Sequence, residues 1–318
     1  MSVSVAIATF NGERFVAAQL DSVLRQSQPV EQIVIADDGS TDHTLDVARE
    51  RLSSFRGEAI VLTAEREPLG VAGNFERALE RCDGDLIALA DQDDVWHPDK
   101  LERMQAALED GLLAFSDAAL VDAHGAPLPG APTLFAGLGL SDWERQQLRS
   151  GQAWPVLLRR NVVTGATVLL RRELLDLALP VPDGWIHDEW LAIVAAAHGG
   201  VRVVEEPTID YRQHGANQIG MRSRLTVRAR IERLQEPRSA RNLRLLRRAA
   251  SLAERAEAWS ERAATDAVEK LAHERVRSAL PTARAARLAP VLRERTTGRY
   301  DRYGLGAQDV LRDLVQPV

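Results

Sequence analysis

The 318-residue chain has a single cysteine, Cys82, which excludes a disulfide framework and fits a reducing compartment. No stretch reaches the roughly 18 consecutive apolar residues of a membrane-spanning helix. The nearest approaches, 153–170 and 191–204, are broken by Arg159-Arg160 and by His198 with Arg202. The sequence does not open on a basic segment followed by a long apolar run; residues 3–8 already read as a strand, so no signal peptide is expected. Repeats of solenoid type are absent. Aromatics are scarce in the arginine-rich C-terminal region, where Trp259 stands alone in the long helical stretch and Glu254, Glu257, Glu261 and Glu269 interleave with the arginines. Without a stacking set, nucleic acid is not the expected partner. These absences point to a cytoplasmic chain.

What is present is ordinary globular composition, 45% apolar and 27% charged, on a length whose prior is two domains. The net charge of −6 hides an asymmetry: residues 1–220 carry 18 Lys and Arg against 34 Asp and Glu, whereas 221–318 carry 22 against 12. An acidic body with a basic tail predicts that the tail meets something anionic, and the body's own acidic surface, a phosphorylated substrate and membrane phosphates all qualify. We therefore expect a catalytic domain over 1–220 and a basic helical region over 221–318 that serves membrane-surface, acceptor or oligomer contact, a homodimer included.

The first half alternates β-rich runs (3–8, 32–36, 59–64, 86–90, 112–115) with helical stretches (13–26, 44–53, 74–81, 99–109). In the first helix Phe15, Val16, Gln19, Leu20, Val23 and Leu24 recur at helical spacing. Such alternation predicts an α/β fold with a doubly wound, mostly parallel sheet, whose ligand sits outside the carboxyl ends of the strands. Four polar loops fall there: 9–12, 37–40, 70–74 and 91–94. Beyond an irregular insert at 125–152, a strand is expected at 161–171, a helix at 172–179, a helix from Asp188 to Ala197, and short strands at 201–204 and 208–211. The stretch 242–277 lacks proline and glycine and reads as helix.

Three constellations carry chemistry. Asp91-Gln92-Asp93 follows an apolar strand; if the chain stays extended, the period of two puts both carboxylates on one side, where a hard divalent ion such as Mg²⁺ or Mn²⁺ relieves their repulsion. Asp37-Asp38-Gly39-Ser40-Thr41-Asp42 ends the second strand; Ser40 or Thr41 suits an N-cap, and the Asp38 carboxylate can accept from a pyrimidine N–H or a ribose hydroxyl. His187-Asp188-Glu189-Trp190 sits at a helix start, where the positive helix end keeps Asp188 ionised and able to take a proton from a hydroxyl. His214, in a loop after a strand, is placed to complete a metal shell.

The segments Val5–Gly12, Ile33–Asp42 and Asp91–Trp96 together resemble the family-2 bacterial glycosyltransferases with the GT-A fold. Asp91–Trp96, the later His-Asp-Glu-Trp and Tyr211-Arg212-Gln213-His214-Gly215 are most similar to the rhamnosyltransferase-type members of cell-surface polysaccharide pathways. The resemblance implies an inverting transfer of one sugar from a nucleoside diphosphate sugar, dTDP-rhamnose or a UDP-sugar, to a hydroxyl of a glycan or lipid-linked acceptor. It implies Asp188 as catalytic base; Asp93, Asp91 and His214 on Mn²⁺ or Mg²⁺; and Thr9, Asn11, Asp38, Asn74, Asp91 and Gln92 on the donor. Trp96, His187, Glu189 and Trp190 become acceptor-side candidates, and Glu189 stays open as a partner of Asp188 in the base role. The Q-x-x-R-W motif of processive synthases is missing, which favours single-sugar transfer. A receiver-type Mg²⁺-binding signalling domain and a non-catalytic carbohydrate- or membrane-associated relative are the competing classes.

Overall fold

The computed structural model describes residues 1–64, 67–130, 133–214 and 237–317. The boundary expected at 220 lies outside the described residues. An eight-stranded sheet runs in the order β3-β2-β1-β4-β7-β6-β8-β5. Its parallel half is β1 (Val3–Thr9), β2 (Gln32–Asp37), β3 (Glu58–Thr63) and β4 (Leu86–Asp91), crossed over by α1 (Val16–Leu24), α2 (Thr44–Leu52) and α3 (Gly70–Leu79). All six residues of β2 are buried, the near-continuous apolar run that a parallel strand covered on both faces requires. Of the six residues picked out by helical spacing, Val16, Gln19, Leu20 and Val23 are buried in α1, whereas Phe15, just before it, and Leu24 are half-buried.

The mixed half contains β5 (Val95–Trp96), β6 (Leu113–Val121), β7 (Val168–Arg171) and β8 (Val201–Arg212). Here β7 runs antiparallel to both β4 and β6, β6 pairs parallel with β8, and β5 pairs antiparallel with β8. Several elements depart from the sequence reading. The strand expected at 161–171 is confined to β7, because Gly165–Thr167 forms a 3-10 turn whose Gly165 N–H serves a carboxylate. The two short strands at 201–204 and 208–211 are one strand, bulged against β6 around Asp117, so Pro207 interrupts the register without ending the strand. The insert at 125–152 holds α5 (Leu134–Leu138) and α6 (Asp142–Arg149), the latter closed by a capping box between Ser141 and Glu144. The remaining helices of this part are α4 (Lys100–Leu108), α7 (Trp154–Arg159), α8 (Glu173–Ala178) and α9 (His187–Ala197).

The 242–277 stretch is two helices, α10 (Arg238–Ala256) and α11 (Glu261–Ser278), because Ser260 turns out of helical geometry and caps α11 by accepting from the Ala263 N–H. Helices α12 (Leu288–Thr296), α13 (Arg299–Tyr303) and α14 (Ala307–Val315) complete the chain. This region does not hang off the sheet. Ala249, Leu252, Ala253 and Ala256 of α10 and Ala263, Ala267 and Leu271 of α11 share one buried cluster with Trp185, Trp190 and Ile193 around α9. Trp154 Nε1 donates to Asp266 at 2.9 Å and Trp185 Nε1 to Ser251 Oγ at 3.0 Å, so each indole seals the seam with its polar atom paired. Part of the tail's positive charge is also internal: Arg277 is 1% exposed and bound to Asp313, and Arg287 donates to the carbonyls of Pro281, Thr282 and Gln316. That fraction of the tail's charge meets carboxylates and carbonyls of the tail itself.

Candidate active site

A cleft of about 700 Å³ opens at the carboxyl ends of β1, β2 and β4 and is closed on its far side by the 161–165 loop and the start of α9. Its wall gathers Asp91, Asp93, Asp188 and His214 from three separate segments. The chain does not stay extended after β4: residues 92 and 93 turn. The two carboxylates share the cleft because that turn is clamped from β8. Pairing of Val95 with Asp210 brings the end of β8 alongside, where the Arg212 N–H donates to Asp94 Oδ1 at 2.9 Å and its Nε to the Asp93 carbonyl at 2.7 Å. Two residues further on, His214 Nε2 lies 2.7 Å from Asp93 Oδ2, its ring stacked on Phe15 at 4.6 Å.

The acidic cluster is poorly compensated. Burial first, then the charges of Asp93 and Asp188, push the Asp91 carboxyl up to about 7. Beneath it Lys100 is fully buried; it donates to the Ala166 carbonyl at 2.5 Å, lies 3.9 Å from the Trp96 ring centroid, and burial pushes its amine down to about 7 against the pull of Asp94 and Asp91. Asp188 accepts from the Gly165 N–H at 2.8 Å and the Glu189 N–H at 2.7 Å, which fix its rotamer in the first turn of α9; burial raises it to about 6 against those bonds.

The flanking candidates divide. Glu189 lines the cleft, but its carboxylate is taken by Arg248 of α10, so of these two neighbours it is Asp188 that has no cationic hydrogen-bond partner among the described residues. His187 also lines the cleft; its ring stacks on Phe75 at 3.9 Å, neither ring nitrogen has a hydrogen-bond partner, and burial pushes it down to about 3, so it stays neutral. Trp96 and Trp190 are corrections to the acceptor-side reading. They are 3% and 0% exposed and absent from the cleft wall; Trp190 Nε1 donates to the Ala178 carbonyl at 2.7 Å, and Trp96 packs over Lys100. Their large apolar area is spent in the core.

The residues expected at the donor all line the cleft, yet they also build its rim. Thr9 donates to Asp37 at 2.8 Å, and Asp37 folds the loop after β2 by accepting from the Gly39 and Ser40 N–H groups. Neither Ser40 nor Thr41 caps α2, which starts at Thr44 after His43; Asp42 accepts from the Thr44 N–H instead. Asn11, at φ +48°, accepts from the Thr41 N–H at 2.9 Å. Gln92 takes both polar groups of the Phe10 backbone, at 2.9 and 3.0 Å, and Gly12 is required beside it because a Cβ there would collide with the Gln92 amide. Asp38 accepts from the Leu69 and Gly70 N–H groups at 2.7 and 2.8 Å, and Asn74 donates to the Ala36 carbonyl at 2.7 Å. Lys100, Arg212, Gly165 and Arg248 were not foreseen. Arg212 sat within a quoted motif, whereas the other three have no local sequence signal because their partners lie 23 to 66 residues away.

A mostly parallel sheet with an acidic cleft at its carboxyl edge and helices folded over the far side defines the GT-A class of sugar-transferring enzymes. The family model for glycosyl transferase family 2 matches residues 4–175, and the chain belongs to that family. An uncharacterised glycosyltransferase of Nostoc sp. is 28% identical over 224 residues, 68% of this chain and 66% of that protein. The dTDP-rhamnosyl transferase RfbG of Shigella flexneri is 26% identical over 235 residues, 72% of this chain and 78% of its own. Among solved structures, Staphylococcus aureus TarS 1–349 in complex with UDP superposes with a TM-score of 0.57 at 14% identity, covering 98% of this chain and 89% of that one, a likeness of fold.

Proposed function

We propose that the chain transfers one sugar from a nucleoside diphosphate sugar to a hydroxyl acceptor with inversion, Asp188 serving as base. One observation carries this reading: a carboxylate held by two backbone N–H groups faces the same cleft as the Asp91–Asp93 turn. The likeness to the dTDP-rhamnosyl transferase of Shigella flexneri favours dTDP-rhamnose as donor, with UDP-sugars next.

The residues present fit a hard divalent ion, Mg²⁺ or Mn²⁺, held by Asp93 and Asp91 with His214 beside them. The repulsion that raises the Asp91 carboxyl is what a cation relieves. Among the described residues no three His, Cys, Asp or Glu side chains form a ready cage, in keeping with ions of this kind, which complete their shell with water and substrate phosphates. When bound, the ion neutralises charge on the departing diphosphate as a Lewis acid. The chain does the rest. Asp38 and Asn74 stand on the nucleotide side of the cleft, and the 91–94 turn stands on the diphosphate side. Asp188 accepts the acceptor's hydroxyl proton as the new bond forms, which a hydroxyl pKa far above neutrality demands. Neutral His187 and Phe75 wall the acceptor side without adding charge. Displacement from the face opposite the leaving group needs no covalent enzyme intermediate.

A panel of UDP-, GDP- and dTDP-sugars with Mn²⁺ or Mg²⁺, scored by release of the nucleoside diphosphate, identifies the donor. Asp188→Asn should lower transfer by about 10²- to 10⁴-fold while donor affinity holds. Near-normal turnover in that variant would remove Asp188 from the base role. Exposed Arg244 and Arg247 on α10 keep contact with an anionic membrane in the proposal. Salt-sensitive sedimentation with anionic vesicles checks it, and binding indifferent to salt argues against it.

A further inference from the structure

A second cavity, of about 250 Å³, lies where α7, α9 and the C-terminal helices meet. It adjoins the first: Asn161 and Glu189 line both. Its wall is basic. Arg159 and Arg160 enter from the end of α7, and Arg241 and Arg248 from α10. Lys270 and Arg277 enter from α11, and Arg312 from α14. Among the described residues the carboxylates on the wall are Glu189, Glu274 and Asp309, so cations exceed them seven to three.

The pairing inside the wall makes the imbalance concrete. Asp309 alone answers three guanidinium groups: Arg241 at 2.9 Å, Arg312 at 3.2 Å and Arg277 at 3.6 Å. Glu274 is divided between Arg277 at 3.3 Å and Lys270 at 3.6 Å. Asp313 and Glu144 reach in from outside the wall to Arg277 and Arg160, at 2.7 and 2.8 Å, which still leaves seven cations to five carboxylates among the described residues. Burial, with Arg277 and Arg312 repelling it, holds the Arg241 guanidinium below its ordinary value. Burial likewise lowers Lys270, with Arg277 and Arg248 adding to it against Glu274. Like charges converging on one buried carboxylate are costly, and a bound anion with several acceptor oxygens offsets that cost. Guanidinium groups in this arrangement match phosphate oxygens.

We propose that this cavity is an acceptor subsite that takes a phosphate or diphosphate group of the molecule to be glycosylated. Its volume falls below the roughly 300–1,000 Å³ of sites for drug-sized ligands, which suits one anionic group. The shared wall at Glu189, next to Asp188, puts the anion on the side where the accepting hydroxyl must stand. Attribution of the anion to the acceptor rests on the transferase reading above; the anion site itself does not.

The test uses the full chain in EDTA, so that no divalent ion recruits phosphate to the catalytic cleft. Inorganic phosphate and pyrophosphate are titrated by calorimetry into wild type, Arg241→Gln/Arg312→Gln, Arg241→Lys and Asp93→Asn. The double variant should bind about tenfold more weakly, and Arg241→Lys, which keeps charge and fold but loses the fork, several-fold more weakly. Asp93→Asn should bind as wild type does. No phosphate binding by wild type, equal affinity in wild type and Arg241→Lys, or loss in Asp93→Asn alone would each overturn the site. In a second arm, the same acceptor sugar is presented as a soluble phosphodiester, a prenyl diphosphate and an uncharged alkyl glycoside. The KM advantage of the phosphorylated acceptors should shrink about tenfold in Arg241→Gln. An advantage confined to the prenyl diphosphate identifies a lipid-linked source, and one shared by the phosphodiester identifies the phosphate itself. Phosphate binding without any transfer would sink the transferase reading and leave the site standing, whereas transfer without phosphate binding would do the reverse.

Discussion

Asp188, the proposed base, shows how much of a carboxylate's chemistry is set by its immediate surroundings. Two backbone N–H groups hold the carboxylate, yet burial still lifts it to about 6. A base with that value is ionised at neutral pH and loses its function as it protonates. Transfer should therefore fall on the acid side, approaching tenfold per pH unit below about 6. A profile of kcat for the wild type from pH 5 to 8 checks this, and an acid limb centred near 4 would mean that another group is the base. That Asp91, Asp93, Asp188 and His214 come together in one cleft was legible in the sequence, because each sits at or within two residues of the end or start of a regular element. The two tryptophans were misread because aromatic side chains beside functional motifs serve the core as readily as a sugar, and nothing local separates the two uses. Trp190 illustrates this: its ring sits between Trp185 and Trp259, at centroid distances of 5.2 and 6.0 Å.

At the scale of elements, the join between the 3-10 turn and α9 is the tightest part of the site. A Cβ on Gly165 would lie 2.9 Å from His187 Nε2 and 3.5 Å from Asp188 Oδ2, and His187 cannot retreat because Phe75 stacks against it. Gly165→Ala should cost about 1–3 kcal/mol of stability by overpacking and lower kcat well beyond its effect on donor KM, since the base is displaced while the nucleotide side is untouched. Urea unfolding and steady-state kinetics read the two effects separately. The parallel half of the sheet was predictable from alternating apolar runs and crossover-length helices. Of the mixed half, parts of β6, β7 and β8 were legible but their pairing was not: β7 is four residues long, and its two antiparallel partners are set by tertiary packing rather than by local pattern. The break at Ser260 was likewise hidden, because composition without proline or glycine says nothing about where an N-cap interrupts a helix.

For the whole molecule, the C-terminal helices behave as part of the catalytic body. A chain ended at residue 236 would expose Trp154, Trp185 and the outer face of α9. It should melt at least about 10 °C lower or fail to fold, and a truncated protein with an unchanged Tm would contradict the shared core. Acid should also act on the molecule at large. His187 and His273 are both held neutral by burial down to about 3, so the unfolded chain takes up their protons first. Their contribution is complete above about 6.5 and is lost as pH falls from there towards 3, at most about 1.4 kcal/mol per pH unit for each. Replacing His273 with Gln should flatten the decline in unfolding free energy between pH 7 and 5.

Glu189 follows the proposed base, Asp188, directly in sequence, and the guanidinium that holds it comes from α10, 59 residues away. Any attempt to retune the enzyme by exchanging its C-terminal helices with those of a relative would thus also loosen the turn that aims the base, unless the donor protein brings its own matching first turn of α9. Transplants cut at the end of β8 should be crippled in rate even where they fold, and those that carry residues 185–197 along with the helices should recover it.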